Sequence, residues 1–150
     1  MNNNIELEEL KTKFNNIYYS NDDLLQEHVK YLLLFFKNNS ITRLIIDSIE
    51  KDEYFTIWKP IESKYTIGYE DYNLPDNEKS MAALSLYFLK ELDDEPNLLF
   101  SRHHTNLKTG ELIKTIKDLF VKKLEDYIYL NIKYNNNILY LLNRYKYQCE

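Results

Sequence analysis

The chain has 150 residues, of which 44% are hydrophobic and 29% charged, with a formal net charge of −5. This length suits one domain that buries a sizeable core, and this balance excludes both a disordered chain and a uniformly basic nucleic-acid binder. The single cysteine, Cys149, excludes an internal disulfide and a cysteine-rich zinc site, so a reducing, cytoplasmic compartment is expected.

Two glycines and three prolines leave few helix breakers, whereas tyrosine occurs 14 times. Long helices are therefore expected, because glycine and proline cost about 1 and about 3 kcal/mol in a helix interior. The abundant Asn, Lys, Ile and Tyr fit a gene of AT-rich composition, as in some bacteria and phages. The opening MNNNIELEEL lacks the basic start and apolar core of a secretory signal. The longest apolar run, Tyr31 to Phe36, falls far short of the ~20 residues of a membrane span.

In chain order, Leu7, Leu10, Phe14 and Ile17 repeat at helical spacing and predict a first helix from Ile5 to about Tyr18. Ser20 to Asp23 reads as a capping box for a second helix running to about Lys37. On it Leu24, Leu25, His28, Tyr31, Leu32 and Phe35 line one broad face, and His28 reads as a core or boundary histidine. After Asn38 and Asn39, Ser40 is placed to cap a third helix carrying Ile41, Leu44, Ile45 and Ile49 inward.

Residues 54–75 break the pattern and are the most aromatic stretch. Pro60 and Gly68 interrupt them, and the alternation Tyr65, Ile67, Tyr69 fits an irregular excursion or small hairpin. Pro75 and Asp76 then form a helix start, with Met81, Leu84, Phe88 and Leu92 as the apolar stripe and Ser85 beside it. Asp93, Asp94 and Glu95 end that helix with acids at its carbonyl end, which the helix dipole disfavours. A compensating cation is expected there, from Arg102 with His103 or His104. Asn106 or Thr109 opens the longest helix, with Leu112, Ile116, Leu119, Phe120, Leu124, Tyr127 and Ile128 inward. The alternating segment Tyr127 to Tyr134 continues the helical pattern and is read as helix, before a break at Asn135 to Asn137 and a further helical segment.

The expected fold is thus mainly α: a single domain over residues 1–150, bundle-like, with five or six helices and an aromatic excursion near 54–75.

Chemistry is harder to find. His103 and His104 beside Asp93, Asp94 or Glu95 have the ligand types of a zinc or manganese site. Adjacent side chains diverge, however, so that stretch reads as a polar connector and no metal or other cofactor is expected. All-helical nucleases of the HEPN type place a histidine several residues after an arginine, and none of Arg43, Arg102 and Arg144 has one at that spacing. Glu62, Ser63 and Lys64 with Asp47 or Asp52 echo a restriction-nuclease triplet without the sheet such a site needs. Phosphate loops, nucleophile elbows and the His-Glu-x-x-His motif are absent from the sequence. No catalytic residue is assigned, and a non-enzymatic role is expected.

Two binding surfaces remain. Tyr54, Phe55, Trp58, Tyr65, Tyr69 and Tyr72 offer large contact area at small entropic cost, the composition of protein-binding hot spots. The charge is also divided: residues 1–100 hold 10 Lys and Arg against 19 Asp and Glu, and residues 101–150 hold 9 against 5. Lys114, Lys117, Lys122, Lys123, Lys133, Arg144 and Lys146 could follow nucleic-acid phosphates, the alternative reading.

The segment LNRYKYQCE, Leu142 to Glu150, resembles a stretch in the N-terminal helical regions of uncharacterised bacterial proteins whose later part is a restriction-endonuclease-like domain. The resemblance implies a module of a longer, defence-type protein and carries over no catalytic residue. The expectation is a protein-interaction or self-association module of bacterial or phage origin, linked to phage defence or counter-defence. Its partner is another protein or its own copy, with no membrane contact.

Overall fold

A computed structural model describes residues 3–21, 23–56, 75–94 and 113–134. The helices are α1 (Asn3–Tyr18), α2 (Leu25–Asn38), α3 (Ser40–Glu50), the short α4 (Glu53–Thr56), α5 (Glu78–Asp94) and α6 (residues 113–134). Among the described residues there is no strand, so the fold is mainly α. The expected excursion lies largely outside the described residues, as do Asn106, Thr109 and the helical segment beyond Asn135.

α5 is the centre. An amphipathic stripe on Met81, Leu84, Phe88 and Leu92 would bury one side, yet every residue from Ser80 to Leu89 is buried. Such a helix must be covered on several sides. α2, α3, α4 and α6 all pack on it, and α1 closes a circuit by packing on α2 and α6. Small residues, Ala82 and Ala83, permit close approach of neighbouring backbones. The two buried serines are satisfied: Ser85 Oγ donates to the Met81 carbonyl at 2.8 Å and Ser80 Oγ donates to Asp52 Oδ2 at 3.0 Å.

The first helix buries Leu10, Phe14 and Ile17 as its spacing predicts, with Leu7 partly buried. On α2 the inward stripe is Leu25, Val29, Leu32 and Phe36, which leaves Leu24 and Tyr31 exposed and His28 and Phe35 half-buried. The expected face is therefore turned toward Val29 and Phe36, because α1, α3 and α5 converge there. On α3, Thr42, Ile45, Ile46 and Ile49 are buried, whereas Leu44 is 68% exposed.

The caps also differ from expectation by a residue or more. Asn39, not Ser40, caps α3, its side-chain oxygen accepting from the Ile41 and Thr42 amides at 3.1 and 3.0 Å. Ser20 Oγ donates to the Ile17 carbonyl and so finishes α1 instead of opening α2, while Asn21 Oδ1 accepts from the Leu24 amide. At α5 the cap is Asn77, whose oxygen accepts from the Ser80 amide at 2.7 Å, with Pro75 and Asp76 ahead of the first turn. Short polar side chains satisfy the orphan amides of a helix start, and asparagine does this as well as serine.

α6 contains a π-helical stretch, Ile116–Val121. In regular α geometry successive residues stand about 100° apart, so Phe120 and Val121 could not both remain with Ile116 on one narrow face. The wider i→i+5 turn reduces that step, and all three are fully buried. Phe120 then meets Phe88 of α5 at 4.5 Å between ring centroids, tilted by 48°. Phe14 and Phe36 join α1 to α2 at 6.1 Å, and Phe14 and Tyr129 join α1 to α6 at 6.4 Å.

These placements rank three substitutions. Phe120→Ala costs about 3–5 kcal/mol through the cavity it leaves, Asn39→Ala costs about 0.5–2 kcal/mol through the lost cap, and Leu44→Ser stays within about 0.5 kcal/mol. Urea unfolding monitored by circular dichroism checks the order; a Leu44→Ser loss equal to that of Phe120→Ala would contradict the assigned faces.

Candidate functional site

Three surface regions bring chemistry-bearing side chains together. The first is a groove of about 630 Å³ between α2, α3 and α5. Its floor is apolar, made by Leu33, Phe36, Ile46 and Leu86. Its rim is charged. Lys37 and Arg43 flank the corner where α2 passes into α3, and Asp93 and Asp94 stand at the end of α5. That acidic end lies near the start of α2, because Gln26 Nε2 donates to the Asp93 carbonyl at 2.7 Å.

Gln26 thereby satisfies a carbonyl at the end of α5, where the sequence places acids against the helix dipole. Burial raises the Asp93 carboxyl above its ordinary range, and neighbouring Asp94 raises it further, while Lys30 opposes both. The compensating cation near these acids is thus Lys30 of α2. Arg102, His103 and His104 lie outside the described residues. Also lining the groove, Lys90 Nζ meets Glu50 Oε1 at 2.6 Å and stands 5.0 Å from the centroid of the Phe55 ring. Lys37, Arg43, Asp47 and Asp94 make no ion pair among the described residues.

The second region is an open cleft of about 760 Å³ between α1 and α6. Glu125, only 8% exposed, accepts a hydrogen bond from Tyr18 Oη at 2.9 Å and has Lys122 Nζ at 3.7 Å. Burial and then the Glu125 hydrogen bond hold the Tyr18 phenol far above its ordinary value. Burial, with the Glu125 charge second, pushes Tyr129 up to about 12. The Tyr129 hydroxyl is buried without a hydrogen-bond partner. Both phenols are therefore protonated at neutral pH, and the Tyr18 hydrogen bond to Glu125 and the contact of the Tyr129 ring with Phe14 tie α1 to α6.

The third region is the surface of α6. Lys117 Nζ donates to the Ser20 carbonyl at 2.8 Å, supplying a cation at the end of α1, which has none in its own last turn. Lys122 pairs with Asp126 at 3.1 Å. Lys114, Lys123 and Lys133 are exposed, and Asp126 falls between Lys123 and Lys133 around the helix. Arg144 and Lys146 lie outside the described residues.

Of the aromatic set, Tyr54 and Phe55 are half-buried and pack against the core. The Tyr54 amide donates to Asp52 Oδ1 at 2.9 Å. Trp58, Tyr65, Tyr69 and Tyr72 lie outside the described residues, as do Glu62 to Lys64 and the segment Leu142 to Glu150. Among the described residues no group of three or more His, Cys, Asp and Glu side chains is placed to hold a metal ion. No helix there is long and apolar enough to cross a membrane. His28 Nδ1 is buried without a hydrogen-bond partner.

The apolar surface was the feature that periodicity hid. Leu24, just ahead of α2, and Tyr31 and Leu34 on it are 43%, 44% and 44% exposed. They fall within an arc of about 80° on the side of α2 away from its buried stripe. Tyr31 is fixed by its hydroxyl donating to Glu27 at 2.9 Å, with Lys13 Nζ 5.9 Å from its ring centroid. No family model, curated protein or solved structure matches the chain.

The two phenols of the α1/α6 cleft respond differently to removal of their hydroxyls. Tyr18→Phe costs about 1–3 kcal/mol at neutral pH, because it leaves the Glu125 carboxylate without its donor, whereas Tyr129→Phe causes no loss. The unfolded chain gives up the Tyr129 proton near pH 10.0, but the folded chain holds it to about 12. Its contribution is thus complete below the unfolded value and declines as pH rises through that window. Melting temperatures measured from neutral to alkaline pH should fall less steeply for Tyr129→Phe than for the parent; identical slopes would remove this assignment.

Proposed function

We propose that this domain is a non-enzymatic protein-interaction module that makes contact through the outer face of α2. The observation that carries the reading is the stripe of Leu24, at the start of α2, with Tyr31 and Leu34 on it, three large apolar side chains on one side of a helix whose opposite face is already committed to the core. Single exposed apolar residues are ordinary, but three aligned on one side of a rigid element point to a contact surface. Tyrosine adds area with few rotamers to immobilise, which favours binding.

The lysines of α6 support nucleic-acid contact less. Two of the five described there are engaged within the chain, and the exposed ones are interrupted by Asp126. A continuous phosphate-tracking surface needs unpaired cations in a row. The proposed setting remains a bacterial or phage protein of defence or counter-defence.

The test is the mass of the purified chain in solution together with identification of the protein or nucleic acid that accompanies it. Tyr31→Asp with Leu34→Asp should weaken the resulting protein complex at least about tenfold while leaving the helical circular dichroism signal unchanged. An unaltered complex, or a salt-dependent shift of labelled DNA or RNA with no protein complex, would overturn the reading.

A further inference from the structure

Two phenols compete for the carboxylate of Glu125. Nearly buried beside the α1/α6 cleft, it accepts its hydrogen bond from Tyr18 of α1. Tyr129 stands about one turn further along Glu125's own helix, at the i,i+4 spacing where helical side chains meet. On α2 the same spacing forms a bond: Tyr31 Oη donates to Glu27, four residues back, at 2.9 Å. On α6 that bond is unmade, and the Tyr129 hydroxyl is buried without a hydrogen-bond partner. A buried donor left unpaired is costly, and here α1 has taken the acceptor that its own helix would supply. The Glu125 charge acts on both phenols, so the three groups share one locality.

Release of Tyr18 therefore does not strand the Glu125 carboxylate. Turned along its own helix, Glu125 accepts from Tyr129, and one charge-assisted hydrogen bond replaces another. α1 itself stays seated, because Leu10, Phe14 and Ile17 are fully buried and Lys117 Nζ holds the Ser20 carbonyl behind it. Tyr18 is only half-buried, and it lines the cleft between Asn15 and Glu125, so a swing of its side chain toward solvent enlarges the cleft.

We propose that Tyr18 is a side-chain gate on the α1/α6 cleft, with Glu125 bonded to Tyr18 when the gate is closed and to Tyr129 when it is open. The gate is independent of the contact face on α2. It gives the buried Tyr129 hydroxyl a role that the closed arrangement does not.

The experiment is NMR of the full chain with isotope-labelled tyrosine rings, the Tyr18 and Tyr129 signals being assigned from Tyr18→Phe and Tyr129→Phe. Relaxation dispersion should show Tyr18 exchanging with a minor state in the parent. Tyr129→Phe should cut that minor state at least about tenfold, since the open gate then leaves Glu125 without a donor. In Tyr18→Phe the Tyr129 signal should move toward the position held by Tyr31, which is already bonded to a glutamate over the same spacing. The stability lost by Tyr18→Phe then lies toward the lower end of its range, and the double variant loses more than the two single variants together. A Tyr18 signal without exchange, or exchange that Tyr129→Phe leaves unchanged, overturns the gate. So does a Tyr129 signal unmoved by Tyr18→Phe. A stability loss in Tyr129→Phe equal to that in Tyr18→Phe also overturns it, because both phenols would then hold Glu125 at once.

Discussion

The burial of α5 on all sides is the constraint from which the rest of the arrangement follows. Ten consecutive residues from Ser80 to Leu89 leave no polar face for water. The helix can exist only inside a shell, and four other helices supply it. Removing its cover would expose Leu84, Leu86, Phe88 and Leu89 together, each worth about 1.5–3 kcal/mol when buried. The π-helical stretch belongs to the same requirement: α6 departs from regular geometry where it must press both Phe120 and Val121 inward. Local backbone geometry gives way to the packing of the central helix.

Helical periodicity was a good guide where apolar residues were spaced and a poor one where they were contiguous. On α1, Leu10, Phe14 and Ile17 stand among polar residues, so only one face could be buried. On α2, Tyr31 to Phe36 offers apolar side chains around most of the helix, and on α3 Leu44, Ile45 and Ile46 do the same. Which of them turn inward is decided by the neighbours, whose positions no local pattern contains. Leu44 stays out and Ile46 goes in because α3 packs on both α2 and α5. The caps failed for a related reason: asparagine and serine are near-equivalent at a helix start, so Asn39 beside Ser40, or Asn77 beside Asp76, leaves the choice to backbone geometry.

The candidate groove was not legible at all in sequence, although its parts were. Lys37, Arg43, Asp47 and Asp94 come from three helices, and nothing in their spacing joins them. What sequence did supply was the electrostatic difficulty at the end of α5, three acids where the dipole disfavours them. The structure answers it from α2, through Gln26 on a carbonyl and Lys30 beside Asp93.

The division of charge between the two parts of the chain has a similar resolution. A basic second half suggested a surface for phosphates, but charge along a chain is not charge on a surface. Lys117 turns to the Ser20 carbonyl and Lys122 to acids of its own helix, so part of the basic excess is used to join α6 to the acidic first part. In the groove between α2, α3 and α5 both signs meet again, Lys30, Lys37, Arg43 and Lys90 standing among Asp47, Glu50, Asp93 and Asp94. That is why the folded surface, and not the sequence total of −5, determines what kind of partner can approach.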